Sequence, residues 1–472
     1  MRIATKVTTR ILTYMVIFAF MSQVATAQVT ESDTRVTAIE MIGRDLVRLL
    51  NQLTEGEKDP TKRLPISPIL DKAAKAVQDS PTFQQAQSNK KSLEGQRKEA
   101  RAGLLPQVSF GTGNGTRDYD VSASSGGYTR YSGDYATRTL TAKQLIYDFG
   151  GAWSSMTAAE KRLLATELKL EVQRSEIFLQ ALKIFYETQR GLLQVRLARE
   201  NLQARRAFVN FIRERSDLGA SSSADVVRAE SRVAEALDAL STALQTLAQA
   251  QAGYRQFYNT EAEPYILPKE ISYEGLDLQN IEQFIDRHPG KLEADMNLQV
   301  AREDLKVAQS KYIGGLYLEI SKGQSKSPGS SQFVADNTAM LMFRSELYAG
   351  GAQSARVEQA VAKVEQAEFE VERIRQDLLR SLREAYADYN GQVAGVAARM
   401  LVFKGAEDSY AIAKDLYAFS RSSLFEVLKS QEDLFNAGQR LIDSVVNRAE
   451  AKYKLLHAAQ VLISRVNENK TP

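Results

Sequence analysis

Few residues in this chain could carry chemistry. Among 472 residues there is no cysteine, and there are two histidines, His288 and His457. Neither has the carboxylate or histidine spacing that metal ligation or general acid–base work at an imidazole requires. Packed or solvent-facing rings are the simpler reading. No glycine-rich phosphate loop, nucleophile elbow or HExxH run occurs. No catalytic, cofactor-binding or metal-binding residue is therefore assigned, and neither an enzyme nor a cofactor is expected.

The elements that must position whatever the chain does use begin after a distinct leader. Arg2, Lys6 and Arg10 precede the apolar run ILTYMVIFAFM, and Ala25-Thr26-Ala27 forms a small-x-small site. This is the pattern of a secretory signal peptide over residues 1–27. The formal charge is +3, so removing the three leader cations leaves a near-neutral chain with no basic excess for nucleic acid. The absence of cysteine leaves no residue for a lipid anchor. No later stretch offers eighteen uninterrupted apolar residues, so a membrane could be crossed only by strands.

Most of the remaining chain reads twice. KEARAGLLPQVSF from Lys98 matches KVAQSKYIGGLYL from Lys306 at an offset of 208, which also places Asp79-Ser80-Pro81 on Arg287-His288-Pro289. Gly150-Gly151-Ala152 falls on Gly350-Gly351-Ala352 at 200, and ADVVRAE on FEVLKSQ at 201. Ordered matches with slowly drifting offsets point to a tandem duplication. Each unit reads as helix, strand, polar loop, strand, very long helix, tight turn and medium helix. The first repeat is expected at residues 67–260 and the second at 261–465, after an N-terminal extension at 28–66 and before a tail at 466–472. In the first repeat, Leu164, Leu168, Val172, Leu179, Leu182, Tyr186, Leu193 and Leu197 form an apolar stripe along a helix expected at about residues 151–218. The second long helix is expected at about 351–419. Alanines and charges between the apolar positions suit a coiled-coil-like surface.

The strands are expected in hairpins at about residues 104–149 and 313–348. Leu316, Leu318 and Ile320 alternate with Tyr317, Glu319 and Ser321, and Ala339, Leu341 and Phe343 alternate with Met340, Met342 and Arg344. This period of two is the transmembrane-barrel pattern. The first hairpin is less clean, because YATRTLTAKQLIY places threonines and charges on both faces. Four strands cannot close a barrel, for which about eight are the minimum. Bare edge hydrogen bonds in lipid cost several kcal/mol each, so the chain must oligomerise. Three copies supplying twelve strands are the simplest even solution.

With these features in place, the chain resembles the TolC-type outer-membrane channels over residues 67–465. The resemblance rests on the duplication, the LLPQVSF strand entry, the LIYDFGG and ELYAGG junctions, and the SSSADVVRAE and SSLFEVLKSQ turns. It implies a mainly α fold with a small β part: a homotrimer whose twelve-stranded barrel in outer-membrane lipid continues into a long helical tunnel across the periplasm. It also implies a periplasmic adaptor protein and an inner-membrane ABC or other transporter as partners. The function implied is the exit duct of a tripartite export system. LIYDFGG and the missing lipid anchor resemble the type I secretion branch more than the drug-efflux branch. A periplasmic coiled-coil structural or adaptor protein is the reading from another class.

The resemblance also distributes roles. Tyr147, Phe149, Trp153 and Tyr348 fall where barrel strand becomes tunnel helix, a depth that aromatic residues favour; packing aromatics are the alternative. Gly150, Gly151, Gly350 and Gly351 turn strand into helix. Asp225, Tyr417 and Arg421 fall at the periplasmic gate, with Arg421 one position from the family's arginine. Glu426 and Lys429 occupy the narrowest constriction, where the family has two acids. Three copies of Glu426 would favour cations, and Lys429 should weaken that preference. Asp225 and Glu426 could equally be acids complementing helix N-termini, worth ~0.5 kcal/mol each.

Overall fold

A computed structural model describes residues 68–122, 126–262, 281–328 and 330–462. The expected signal peptide, N-terminal extension and C-terminal tail lie outside the described residues. The chain runs through α1 (Pro68–Asp79), α2 (Pro81–Ala102), β1 (Gln107–Ser122), β2 (Tyr128–Tyr147), α3 (Gly151–Asp217) and α4 (Ser223–Tyr258). It continues through α5 (Ile281–Asp286), α6 (Pro289–Ile313), β3 (Gly315–Lys326), β4 (Val334–Arg344), α7 (Ala352–Ala418) and α8 (Leu424–Ala458). The order α2–β1–β2–α3–α4 thus recurs as α6–β3–β4–α7–α8. Pro81 and Pro289 open α2 and α6 at the first helical position, where a missing N–H costs nothing and the fixed φ suits a helix.

Helices α3 and α7 have 67 residues each, about 100 Å at 1.5 Å per residue. Each folds back on its successor, α3 on α4 and α7 on α8. Apolar clusters are strung along this array instead of forming one central core. Phe178, Phe185, Tyr186, Tyr254 and Tyr453 pack with Ile69 and Val77 of α1. Leu193, Leu197, Leu441 and Val445 pack further along. Phe208, Ile212, Tyr417, Leu424 and Val427 pack where the long helices end. The apolar stripe expected on α3 is buried at Leu182, Tyr186, Leu193 and Leu197, whereas Leu164 is exposed and Ala158, Leu163 and Ala165 are buried in its place. The reason is that α3 is packed by α2, α4, α6 and α8 in turn, so its buried side rotates along its length.

The four strands form one antiparallel sheet in the order β1-β2-β3-β4. Val108 and Phe110 face the same way as their partners Ala142 and Leu140. Ala142 in turn opposes Ile320, and Leu341 and Phe343 oppose Leu318 and Leu316. One face is therefore an exposed apolar band. The other carries Thr137, Thr139, Thr141, Lys143, Tyr317, Glu319 and Ser321. The mixed string YATRTLTAKQLIY resolves by register: Leu140 and Ala142 join the apolar face, while three threonines and Lys143 join the polar one. Among the described residues no helix is long and apolar enough to cross a membrane.

Candidate functional site

Two places position side chains for a functional role: the junctions where strands become long helices, and the turns at the far ends of those helices. At the first junction Phe149 and Gly150 both have positive φ, 55° and 88°. Gly150 is the N-cap of α3, with φ 88° and ψ 2°. At the second, Gly350 and Gly351 have φ 62° and 83°, and Gly351 is the N-cap of α7 with ψ −2°. The structural equivalents are therefore Gly150 with Gly351 and Gly151 with Ala352. The sequence pairing of the two Gly-Gly-Ala triplets is one residue out of step, because Phe149 supplies the left-handed position that Gly350 fills in the other half. A non-glycine residue there costs roughly 1–2 kcal/mol.

The surroundings of the junctions differ. Gly151 lies so close to α6 that a Cβ would collide with Ser310 Oγ and stand 2.9 Å from Asp148 Oδ2. Ser310 Oγ donates to the Asp148 carbonyl, and Asp148 Oδ2 accepts from the Ala152 amide at the helix start. Arg162 and Lys90 add ion pairs to Asp304 of α6 and, from α2, to Glu167. The second junction has open space around both glycines. Leu347 and Tyr348 there are 95% and 85% exposed. Tyr147, Phe149 and Trp153 are exposed as well, and the Tyr147 and Phe149 rings are 4.9 Å apart.

At the far end the two turns share one backbone. After α3, the Ala220 amide donates to Arg215 O and the Gly219 amide to Ser216 O; after α7, the Arg421 amide donates to Leu416 O and the Ser420 amide to Tyr417 O. This pair of bonds around a left-handed residue is the Schellman closure, made at Gly219 with φ 74° and at Ser420 with φ 58°. Ser222 and Ser423 then cap α4 and α8, accepting from the amides of Asp225 and Glu426 at 3.2 Å each.

The residues expected at the gate lie on or beside these two turns. Asp225 completes a capping box with Ser222 and lies 3.4 Å from Arg228. Tyr417 is buried among Phe208, Phe211 and Leu424, with its hydroxyl 3.2 Å from Ser221 Oγ. The arginine against its ring is Arg215, not Arg421: the guanidinium carbon is 5.0 Å from the Tyr417 centroid. Arg215 donates to Tyr417 O at 3.2 Å, Ala418 O at 3.0 Å and Ser420 Oγ at 2.8 Å. It thereby satisfies carbonyls that the end of α7 leaves without helical partners. Glu426 accepts from Ser422 Oγ at 2.7 Å. Lys429 pairs with Asp433 at 3.0 Å, so its charge is offset on its own helix and not directed at Glu426. Leu218, Val227, Phe419 and Phe425 stand exposed around these turns.

The two histidines, remote in sequence, come together beside α5. His288 caps α6, its Nδ1 accepting from the Gly290 amide at 3.0 Å. His457 Nδ1 is 2.8 Å from Ser175 Oγ. Burial first, and the nearby His457 second, together push His288 down to about 4. Burial also lowers His457, against a small upward pull from Glu176. The sequence carried no signal for Arg215 or Ser310, because each acts on a segment far away along the chain; the Asp148 side chain acts only four residues on, at Ala152.

The chain thus joins a two-faced antiparallel sheet to helices about 100 Å long. A family model for the outer membrane efflux proteins matches residues 73–259 and 280–459, so the chain belongs to that family, the TolC-type channels. It is an outer-membrane protein whose helices extend into the periplasm. The outer membrane efflux protein BepC of Brucella suis is 23% identical over 369 residues, covering 76% of this chain and 78% of BepC. The alkaline protease secretion protein AprF of Pseudomonas aeruginosa is 22% identical over 411 residues, covering 83% and 82%. Among solved structures, the outer membrane protein VceC of Vibrio cholerae superposes with a TM-score of 0.72 at 16% identity, over 83% of this chain and 96% of VceC. The CmeC outer membrane channel of Campylobacter jejuni gives 0.74 at 12% identity, over 85% and 89%.

Proposed function

We propose that three copies of this chain close a twelve-stranded barrel continuous with a helical tunnel, and that the assembly is the exit duct of a tripartite system for type I protein secretion. The observation that carries this reading is the inequality of the two junctions. Within one chain, β2 pairs with β3 and the first junction rests on α6. Strands β1 and β4 are edges, and both glycines of the second junction have open space where a Cβ would stand. If α2 and β1 of a neighbouring copy stand to β4 and α7 as α6 and β3 stand to β2 and α3, every half meets the same surroundings and the edges vanish. That contact is head-to-tail and closes into a ring, as lipid requires of a sheet.

In this assembly Tyr147, Phe149, Trp153 and Tyr348 form the aromatic belt at the periplasmic edge of the barrel. The turns carrying Asp225, Tyr417 and Arg421 form the tip that opens and closes, and Glu426 lines its narrowest ring, with Lys429 held by Asp433. Exposed Leu218, Val227, Phe419 and Phe425 offer the periplasmic adaptor an apolar surface, and the adaptor couples the duct to an inner-membrane ABC or other transporter. BepC is named for efflux and AprF for protease secretion, so small-molecule efflux is the second reading.

A deletion strain compared with its parent for secreted proteins and drug tolerance separates the two. Loss of one large exported protein with unchanged tolerance is the expected result; unchanged secretion with lost tolerance moves the assignment to efflux. Heat-modifiable trimer bands from the outer-membrane fraction check the assembly.

A further inference from the structure

The exposed apolar face of the sheet ends abruptly toward the loops farthest from the helices. Its last apolar pair on the second and third strands is Leu140 and Ile320, with Lys322 directly opposite Leu140. On the same face Arg138 opposes Gln324, and Ala136 opposes Lys326. Arg138 is therefore flanked diagonally by Lys322 on one side and Lys326 on the other. Diagonal neighbours on one face of an antiparallel pair are about 7–8 Å apart, within reach of long side chains. Arg138 and Lys322 are exposed and Lys326 is half-buried.

No acid stands among them. Glu319 and Asp336 fall on the opposite face, since their strand partners Lys143 and Gly323 do. The nearest acid on the basic face is Asp134, one pleat beyond Ala136, followed by Asp118 and Asp120 on the ribbon that projects past β3. Among the described residues, none of the three cations pairs with a carboxylate. The contact Arg138 does make is with the ring of Phe333, 5.2 Å from guanidinium carbon to centroid. This face thus runs from an apolar band to a cationic row, and then to a stretch of mixed sign in which Arg130 opposes Asp120.

We propose that Arg138, Lys322 and Lys326, with the Gln324 amide between them, bind the phosphorylated headgroup of a glycolipid in the outer leaflet. The inference rests on the proposed placement of the sheet in the membrane wall, which sets acyl chains against Leu140, Ile320 and Leu341. A lipid held by that band brings its headgroup to the next row. That row is cationic where an aqueous barrel surface would mix its signs. The guanidinium fork of Arg138 suits bidentate contact with phosphate, and the two ammonium groups add point charges. A free anion lacks the acyl anchor, so the lipid is the occupant that uses both bands. The Phe333 ring holds the Arg138 head at this level and presents a face to the sugar.

The test uses the full-length protein purified from outer membranes in a neutral detergent. Binding is measured for three probes: lipid A bearing both phosphates, its dephosphorylated form, and inorganic phosphate. The wild type is expected to bind the phosphorylated lipid, more weakly as salt rises. The combined variant R138Q/K322Q/K326Q is expected to lose at least tenfold in affinity while keeping its heat-modifiable oligomer band. Lys143→Gln, on the opposite face, is expected to change nothing. If the triple variant does not assemble, the single Arg138→Gln is used, with a loss of about threefold expected; unchanged affinity in either variant overturns the proposal. Equal binding of the dephosphorylated lipid, or full displacement by millimolar inorganic phosphate, also overturns it. Absence of the wild type from the outer-membrane fraction would instead defeat the channel reading, so the two failures are distinguishable.

Discussion

The two halves of this molecule repeat one sequence of elements, yet one half is finished and the other is not. Gly151 is pressed against Ser310 of α6, while its equivalent Ala352 carries a side chain and is half-buried. The first turn carries Arg215, whose guanidinium crosses to the second; the equivalent position there is Leu416. His288 caps α6 and is buried, while its equivalent Ser80 caps α2 with no side-chain bond. Each difference falls where one half leans on the other within the chain. The same order of elements occurs twice, and the side chains differ where one half contacts the other.

Making one half resemble the other sharpens this comparison. The largest effect is expected from Gly151→Ala, which copies the second junction into the first. The new Cβ must displace Ser310 and Asp148, at a cost of about 2–3 kcal/mol for overpacking. The thermal midpoint of unfolding should drop clearly; an unchanged midpoint would mean that the first junction is no tighter than the second.

Next comes Arg215→Leu, which gives the first turn the residue of the second. It removes the donors to Tyr417 O, Ala418 O and Ser420 Oγ, worth about 2 kcal/mol for charged hydrogen bonds to a partly buried site. Single-channel recording should show longer or larger openings. Wild-type conductance and gating would show that the clasp does not restrain the tip.

The smallest effect is expected from His288→Ser, and it depends on pH. Unfolded, the imidazole protonates near 6.5; folded, burial and, to a lesser extent, His457 together hold it at about 4. Between these values the unfolded state binds more protons, so stability falls as pH falls through this window. At pH 5.5 the loss is about 1.4 kcal/mol. His288→Ser should flatten the difference in melting between pH 7.5 and pH 5.5. A slope as steep as that of the wild type would place the acid sensitivity elsewhere.

Much of the fold was legible because its signals are local. The prolines at 81 and 289, the serines at 222 and 423, the alternation through Leu316, Leu318 and Ile320, and the two glycine junctions each report on their own few residues. The face assignment of the first hairpin was not legible, since threonine tolerates either side of a sheet and only pairing with β3 decides it. The one-residue slip between the glycine triplets was hidden for a similar reason: Phe149 adopts a backbone angle that its side chain does not advertise. At the tip, family pattern pointed to Arg421, whereas the arginine on Tyr417 lies some two hundred residues away in sequence.

The sequence by itself determined the exported class of the chain, the doubled order of elements, the two long helices and the two hairpins. Periodicity, capping and the shortage of strands are all properties of neighbours along the chain. Only the tertiary structure decided which junction is tightly packed, which arginine clasps the tip, that one histidine acts on the other, and that three cations gather above the apolar band. These depend on distances between residues far apart in the chain, which packing and strand register set and no local pattern encodes.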